Sequence, residues 1–392
     1  MTRVIDRFLN LFTMYRLTLY FLLAILALAA ALSFFGLIPG GPLPIAWTTA
    51  VLLASCFLVN ELMARVMRIR SNVESSLITA LILAVIMGPA PLELRQAGVL
   101  ALAGAVAAAS KYILALRRQH IFNPAAAGAL FSALVFGVNA TWWVGNVTLL
   151  PMVVIGSLLL LRKIGRFRLV GSFLGLFMVF NVGLGLAQAV PVMDAVQSVF
   201  FVFGRTSLVF FAAVMFTEPM TSPKRLRWQL LYAALVAFLY QPQLSLFGRN
   251  LTPEEALLVG NLVSFIISPS FKLRLGLVEG ATIGSGIMSF TFPRPPGFSH
   301  QGGQYMEWTL SSGRRYFSIA SSPTEQKLMI AARFSPAQSR YKREMAEMKP
   351  GDSIMAGELG GDFVLPGDPH VPIALIAGGI GVTPFRSMIK HL

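Results

Sequence analysis

The sequence predicts an α-helical polytopic membrane bundle of about ten spans, followed by a small antiparallel β-barrel and the opening of an α/β domain. Three observations carry that prediction. The 392 residues are 55% hydrophobic and only 12% charged, outside the range of soluble globular domains. As far as residue 274 the apolar residues form long runs, on the scale of the roughly 20 residues that cross a bilayer. Beyond Leu275 short alternating segments divided by glycine and proline take over, the pattern of strands.

The spans follow in order. No charged residue occurs from Leu17 to Asn60, and PGGP at 39 to 42 divides that stretch into two helices joined by a tight turn. Further spans are predicted near 74–89, 96–115, 121–139, 147–161, 169–190, 197–217, 228–241 and 255–269. One set of alternate connections carries Arg3, Arg7 and Arg16, then Arg65, Arg68 and Arg70, then Arg117 and Arg118. The same side takes Arg162, Lys163, Arg166 and Arg168, then Lys224, Arg225 and Arg227, then Lys272 and Arg274, whereas the other has Arg95 and Arg249. This asymmetry predicts a multi-pass protein of the cytoplasmic membrane, with both termini and the C-terminal module in the cytoplasm. The first apolar run is full length and has no small-residue cleavage site, so no secretory signal is expected.

Composition also excludes functions. The formal charge of +15 suggests nucleic acid only when basic residues share one face with interleaved aromatics; here they fall between apolar runs, so no nucleic-acid partner is expected. Cys56 is the one cysteine, too few for an iron–sulfur cluster on this chain; it reads as a small buried hydrophobe. No metal site is expected.

Within the bundle, ESSLITALILAVIMGP from Glu74 is echoed by RTSLVFFAAVMFTEP from Arg205. The two would run in opposite directions through the membrane, predicting an inverted five-helix repeat with a site where helices break at the repeat interface. FNPAAAG (122–128), TEPMTSP (217–223) and IISPS (266–270) interrupt the helical pattern. Proline removes an amide donor, and in lipid the freed carbonyls need partners. A charge inside a span faces a cavity or partner, so Arg205 and Thr206, with Glu74 and Asn123, form a candidate membrane flavin or ion site; Glu61 and Glu218 are further candidates.

The region from Glu74 through FNPAAAG, RTSLVFFAAVMFTEPMTSP and NLVSFIISP resembles a membrane component of the Rnf electron-transport complex and its relative in the sodium-translocating NADH:quinone reductase. The likeness covers most of residues 70 to 270. It implies a ten-helix, flavin-handling electron carrier. Those families attach FMN to a threonine in an SGAT-like segment, and none occurs between TWWVG and RKIGRFR. The flavin expected in the bundle is therefore noncovalent FMN or riboflavin, and an empty structural scaffold is the other reading.

The C-terminal module reads as strands in KLRLGLVEG, SGIMSFTF, GQYMEWTL, RYFSIAS and KLMIAARF. In Arg315-Tyr316-Phe317-Ser318 the guanidinium suits a pyrophosphate, an aromatic two residues on shares its strand face and can stack on a ring, and the serine can reach a ring nitrogen. After SRYKREMAEMKPGDSIMAGELGGDF (339–363), an apolar strand is predicted to run through IALIA into Gly378, Gly379 and Gly381, with Val382, Thr383 and Pro384 opening a helix. Glycines permit close backbone approach and a helix start attracts phosphate.

In this order the set resembles the ferredoxin–NADP reductase superfamily, whose FAD barrel precedes a pyridine-nucleotide domain. The resemblance implies domains at 1–274, 275–368 and 369–392. Arg315, with neighbouring Tyr316, would meet the FAD phosphates, Phe317 would stack on the isoalloxazine in place of the commoner tyrosine, and Ser318 would lie near the hydride-accepting nitrogen. Ser339 and Lys342 match the second phosphate-contacting segment, and Gly378 to Pro384 would cradle the NAD(P)H pyrophosphate. Because the chain stops one strand and one helix start into the last domain, it is expected to be a piece of a longer protein; the other reading is that electrons come from elsewhere.

The leading expectation is an FAD-dependent NAD(P)H oxidoreductase passing electrons to a quinone, redox partner protein or second flavin. An ion-translocating bundle driven or regulated by the flavin module is the alternative. A haem-containing reductase would need histidine pairs on the spans, and of His120, His300, His370 and His391 only His120 lies near one.

Overall fold

The structure is a computed structural model and describes residues 5, 8–9, 11–69, 71–116, 119–205, 207–246, 248–268, 272–336, 338–361, 363–368 and 370–392. The chain divides into two compact units, Met1–Pro269 and Ser270–Leu392, within a few residues of the compositional change at Leu275.

The first unit is helical. It comprises α1 (Met14–Phe34), α2 (Pro42–Val66), α3 (Val73–Met87) and α4 (Leu94–Ile113), a short hairpin of β1 (Ala115–Leu116) and β2 (Gln119–His120), then α5 (Pro124–Phe136), α6 (Leu150–Ile164) and α7 (Phe167–Ala187). There follow α8 (Val192–Arg205), α9 (Leu208–Phe210) running on as a π-helical turn Phe211–Met215, α10 (Leu226–Leu239), a hairpin of β3 (Ser245–Leu246) and β4 (Arg249–Asn250), and α11 (Pro253–Ile267). A helix stands at each predicted run, α8 and α9 sharing one. Among the described residues four of them, α1, α2, α4 and α7, are long and apolar enough to cross a membrane. A fifth appears if Val192–Gly204 and Leu208–Met215, bent by 68°, count as one.

Local chemistry sets those lengths. α3 stops at Gly88, whose φ is +89°, ahead of Pro89, and α5 runs only from an Asn123 cap to the left-handed Gly137. The short α3 is enclosed: every residue from Thr79 to Met87 is buried, as expected of an all-apolar helix inside a bundle. α5 is pressed against α4 at Gly128, where an added Cβ would stand 2.5 Å from the Ala103 carbonyl oxygen and 2.8 Å from the Ala107 Cβ. The last glycine of FNPAAAG is thus a packing requirement. Cys56 is buried, its thiol 3.3 Å from the Gly104 carbonyl oxygen.

The second unit holds two antiparallel sheets around one core. Strands β5 (Leu273–Gly276), β6 (Glu279–Gly284), β7 (Ile287–Pro293), β8 (Tyr305–Leu310), β9 (Gly313–Ser318) and β10 (Lys327–Arg333) precede helix α12 (Arg340–Ala346). Strand β11 (Ser353–Gly360), the 3-10 turn Gly379–Val382 and helix α13 (Thr383–Ile389) close the chain. One sheet has the order β10-β7-β6 and the other β5-β11-β8-β9. Trp308, Phe290, Phe292, Leu328 and Ile354 fill the space between them.

One predicted element is absent. Residues 373–377 form no strand, and Ile376 is 87% exposed. A parallel-type strand needs a neighbour for its amides and carbonyls, and the described residues supply none beside it. The helix start after the glycine turn does form.

Candidate functional site

Strand β9 sorts the tetrad by parity. Its register against β8 sets Arg315 opposite Trp308 and Phe317 opposite Met306, while Arg314 and Tyr316 oppose Thr309 and Glu307. Arg315 and Phe317 therefore share one face, as the spacing predicts. Both meet Tyr341 of α12: the Arg315 guanidinium carbon lies 5.8 Å from the Tyr341 ring centre, and the Phe317 ring 6.1 Å from it at 33°. Tyr341 is buried, and its hydroxyl donates to the Trp308 carbonyl at 3.0 Å. Burial drives its phenol well above the usual range, so it stays neutral.

Arg315 is exposed and donates to its neighbour's carbonyl, Arg314 O, at 2.8 Å; among the described residues no carboxylate pairs with it. Ser339, also exposed, caps α12 by accepting from Lys342 N at 3.4 Å. Beside it, Gln338 Oε1 is buried with no hydrogen-bond partner among the described residues. A guanidinium with no carboxylate partner among the described residues and a half-buried ring meet at Tyr341, with a hydroxyl at the start of the same helix, and these are groups that could hold a flavin nucleotide.

The structure separates other predicted members. Tyr316 lies on the opposite face, where its hydroxyl donates to Glu307 Oε2 at 3.3 Å and its ring meets Tyr305 edge-on at 5.6 Å. It is parted from Arg315 and Phe317 because successive strand residues alternate faces. Glu307 is buried there between Lys272 Nζ at 3.1 Å and Arg314 Nη1 at 3.3 Å. Burial pushes its carboxyl up, but the two cations outweigh it and hold the group below the usual range. Lys342 donates to the Arg333 carbonyl at 2.6 Å and lies over Phe334, so its ammonium is already engaged. Ser318 ends β9, opposite Tyr305.

The glycine turn is closed by Gly381 N donating to Gly378 O at 3.1 Å and by Thr383 Oγ1 donating to Ile380 O at 3.2 Å. Gly379 has φ +55°, a conformation that glycine adopts without strain. Pro384 sits in the first turn of α13, where its missing amide costs nothing. The turn lies against β10, and Val382 within it is exposed.

Of the four candidate residues in the first unit, Glu74 and Asn123 have described side chains, and each makes its own contacts. Glu74 pairs with Arg16 Nε at 3.2 Å on the surface. Asn123 is buried; its Nδ2 donates to Glu218 Oε2 at 2.9 Å, and its backbone amide donates to Asn261 Oδ1 at 2.8 Å. His120 Nε2 donates to the other Glu218 oxygen at 3.1 Å. FNPAAAG and TEPMTSP, two of the interrupted segments, are thereby joined through Asn123 and Glu218. Arg205 ends α8, nothing is described of its side chain, and Thr206 lies outside the described residues.

Sequence reasoning missed Tyr341, Glu307 and the Asn123–Glu218–His120 contact. Tyr341 stood inside the SRYKRE run that opens at Ser339, and an aromatic between two phosphate-type residues was its one signal. Glu307 carried none, since a carboxylate on an alternating strand reads as solvent-facing.

No family model matches the chain. Dual oxidase 1 of Canis lupus familiaris is 30% identical over 134 residues, covering 31% of this chain and 8% of that protein. Flavohemoprotein A of Dictyostelium discoideum is 30% identical over 125 residues, covering 27% of this chain and 32% of that one. Among solved structures, the Amycolatopsis cytochrome P450 reductase GcoB is 25% identical, with TM-score 0.28, over 31% of this chain and 39% of its own. A ferredoxin NADP+ reductase from Neisseria gonorrhoeae is 20% identical, with TM-score 0.26, over 31% and 51%. Over part of its length the chain is thus similar to a dual oxidase and a flavohemoprotein. The chain spans 8% of the dual oxidase and about a third of the flavohemoprotein it matches.

Proposed function

We propose that this protein is a membrane-bound, FAD-dependent NAD(P)H oxidoreductase, in which the second unit takes electrons from the dinucleotide on the cytoplasmic side and the helical unit passes them to a membrane acceptor. One observation carries the reading: Arg315 and Phe317 share a face over Tyr341, with Ser339 at the start of the same short helix. The similarity of part of the chain to a flavohemoprotein supports it. Arg315 and Ser339 hold phosphate, Phe317 supports the ring, and Ser318 at the strand end orients the ring edge. The backbone of Gly378 to Pro384 receives the dinucleotide pyrophosphate. When bound, FAD supplies acceptance of an electron pair and release of single electrons.

The finer parts of the reading are an Rnf-like bundle of ten spans with an inverted repeat, noncovalent FMN or riboflavin within it, and a quinone or redox protein as acceptor. The Asn123–Glu218 contact, joining two interrupted segments inside the bundle, supports a polar site there, and the alternative of ion translocation rests on the same contact. Acid extraction of flavin from detergent-purified protein tests the whole reading. FAD with a second flavin is expected; a colourless preparation that takes up no added FAD overturns it. Ion flux into proteoliposomes, with and without NAD(P)H, separates electron transfer from transport.

A further inference from the structure

Helix α13 is fastened to the loop that follows β9. The Arg386 guanidinium forks onto the Glu325 carboxylate, Nη1 to Oε2 at 3.0 Å and Nη2 to Oε1 at 3.2 Å, and Nη1 also donates to Ala320 O at 2.7 Å. Lys390 Nζ donates to Glu325 Oε1 at 2.7 Å, and Ser322 N donates to Glu325 Oε2 at 2.6 Å. Ser387 Oγ donates to the buried Ser321 carbonyl at 2.6 Å, which also accepts from His300 Nε2 at 3.0 Å. Phe385 and Met388 are buried beside these contacts. A bidentate guanidinium–carboxylate pair fixes orientation as well as distance.

The position of this fastening gives it meaning. Ala320, which accepts from Arg386, stands two residues beyond Ser318, and Arg386 stands three residues beyond Thr383. One side chain therefore ties the exit of the strand bearing Phe317 and Ser318 to the helix that the glycine turn opens. The stretch leading into the turn has no comparable hold, because residues 371–379 are all exposed. The glycine turn is thus held by α13 as well as by β10.

We propose that Glu325 and Arg386 are positioning residues that hold the glycine turn ready to bind the pyrophosphate of a dinucleotide. The proposal rests on the oxidoreductase reading above. Both act through the turn, since their observed side-chain contacts are with the loop after β9, with Lys390 and with each other. A turn that is already ordered does not lose binding free energy in being ordered by its ligand, so a loosened turn raises the dinucleotide KM without loss of the fold.

The test uses the full chain in detergent, with NADH and NADPH as donors, ferricyanide as acceptor, and flavin content measured in parallel. Glu325→Gln and Arg386→Ala are expected to raise the dinucleotide KM about tenfold, while flavin content is retained and kcat falls less than twofold. Arg386→Lys, which keeps the charge and loses the fork, should fall between. Ser387→Ala, a milder change, should raise KM a few-fold and keeps the test open if Arg386→Ala does not fold. An unchanged KM in flavin-replete Glu325→Gln overturns the positioning role and leaves the oxidoreductase reading intact. Parallel loss of flavin and kcat at unchanged KM marks a merely structural contact and also overturns it. A flavin-loaded wild-type chain that neither dinucleotide reduces overturns the oxidoreductase reading, and the positioning role with it.

Discussion

Phe317 and Tyr341 face one another with ring centres 6.1 Å apart, so the half-buried aromatic of β9 is backed by a second, buried ring from α12. Tyr341 also holds α12 to β8 through the Trp308 carbonyl. Its hydroxyl and its ring therefore do separable things. Tyr341→Phe should cost about 1 kcal/mol, the net worth of one hydrogen bond, and keep flavin content. Tyr341→Ala should cost about 3–5 kcal/mol for a large buried side chain and lose flavin as Phe317 loses its backing. Thermal unfolding with a flavin assay on both variants checks this; flavin lost equally in the two would place the hydroxyl, not the ring, in the site.

The adjacent arginines of RRYFS should behave in opposite ways. Arg315 carries no carboxylate partner among the described residues, whereas Arg314 helps neutralise the buried Glu307. A charge-assisted hydrogen bond contributes roughly 1.5–3 kcal/mol, so Arg315→Ala should weaken FAD retention about 10- to 100-fold with little change in melting temperature. Arg314→Ala should lower the melting temperature and leave FAD retention near wild type. Equal flavin loss in both would place the phosphates on neither face.

How much of this was legible beforehand follows from which signals are local. The pairing of Arg315 with Phe317 follows from a period of two, and β5 and β7 to β10 follow from alternation with glycine and proline punctuation, whereas β6 was not read as a separate strand. Span length was less legible, because hydropathy does not register that Gly88 and Gly137 stop α3 and α5 early or that α3 is walled in by other helices. The strand at 373–377 failed for a related reason: its pattern is right, but a strand exists only with a partner. Tyr341, Glu307 and Glu325, and the pairing of Asn123 with Glu218, were hidden because they depend on contacts across 33, 35, 61 and 95 positions. No single-sequence pattern carries contacts of that span.

Gly128 makes a sharp packing prediction inside the helical unit. A methyl group there would meet backbone, the Ala103 carbonyl, and not the yielding end of a side chain. Relief requires α4 and α5 to part, and overpacking of this kind costs about 1–3 kcal/mol. Gly128→Ala should therefore lower the detergent melting temperature of the helical unit, while Gly98→Ala on the same α4, with open space around its Cβ position, should not. Equal melting temperatures for the two variants would contradict the close approach.

The Glu325 clasp should be sensitive to acid. Burial alone raises the Glu325 carboxyl, but hydrogen bonds from Arg386, Lys390 and the Ser322 amide outweigh it and bring the group from 4.5 down to about 2. A group whose folded value is depressed stabilises fully above its unfolded value, and that contribution is lost as pH falls through the folded one. The docking of α13 should therefore be at full strength above about pH 4.5 and weaken progressively toward pH 2. Glu307 and Glu344, whose carboxyls are also held low, add acid sensitivity elsewhere in the unit, so the global melting temperature is the wrong readout. Hydrogen-exchange protection factors for residues 383–389, corrected for the pH dependence of intrinsic exchange, isolate the clasp. Wild type should lose protection over that window, and Glu325→Gln should show low protection with a flat profile; a wild-type profile retained in Glu325→Gln would assign the docking of α13 to Ser387 and the buried Phe385 and Met388 instead.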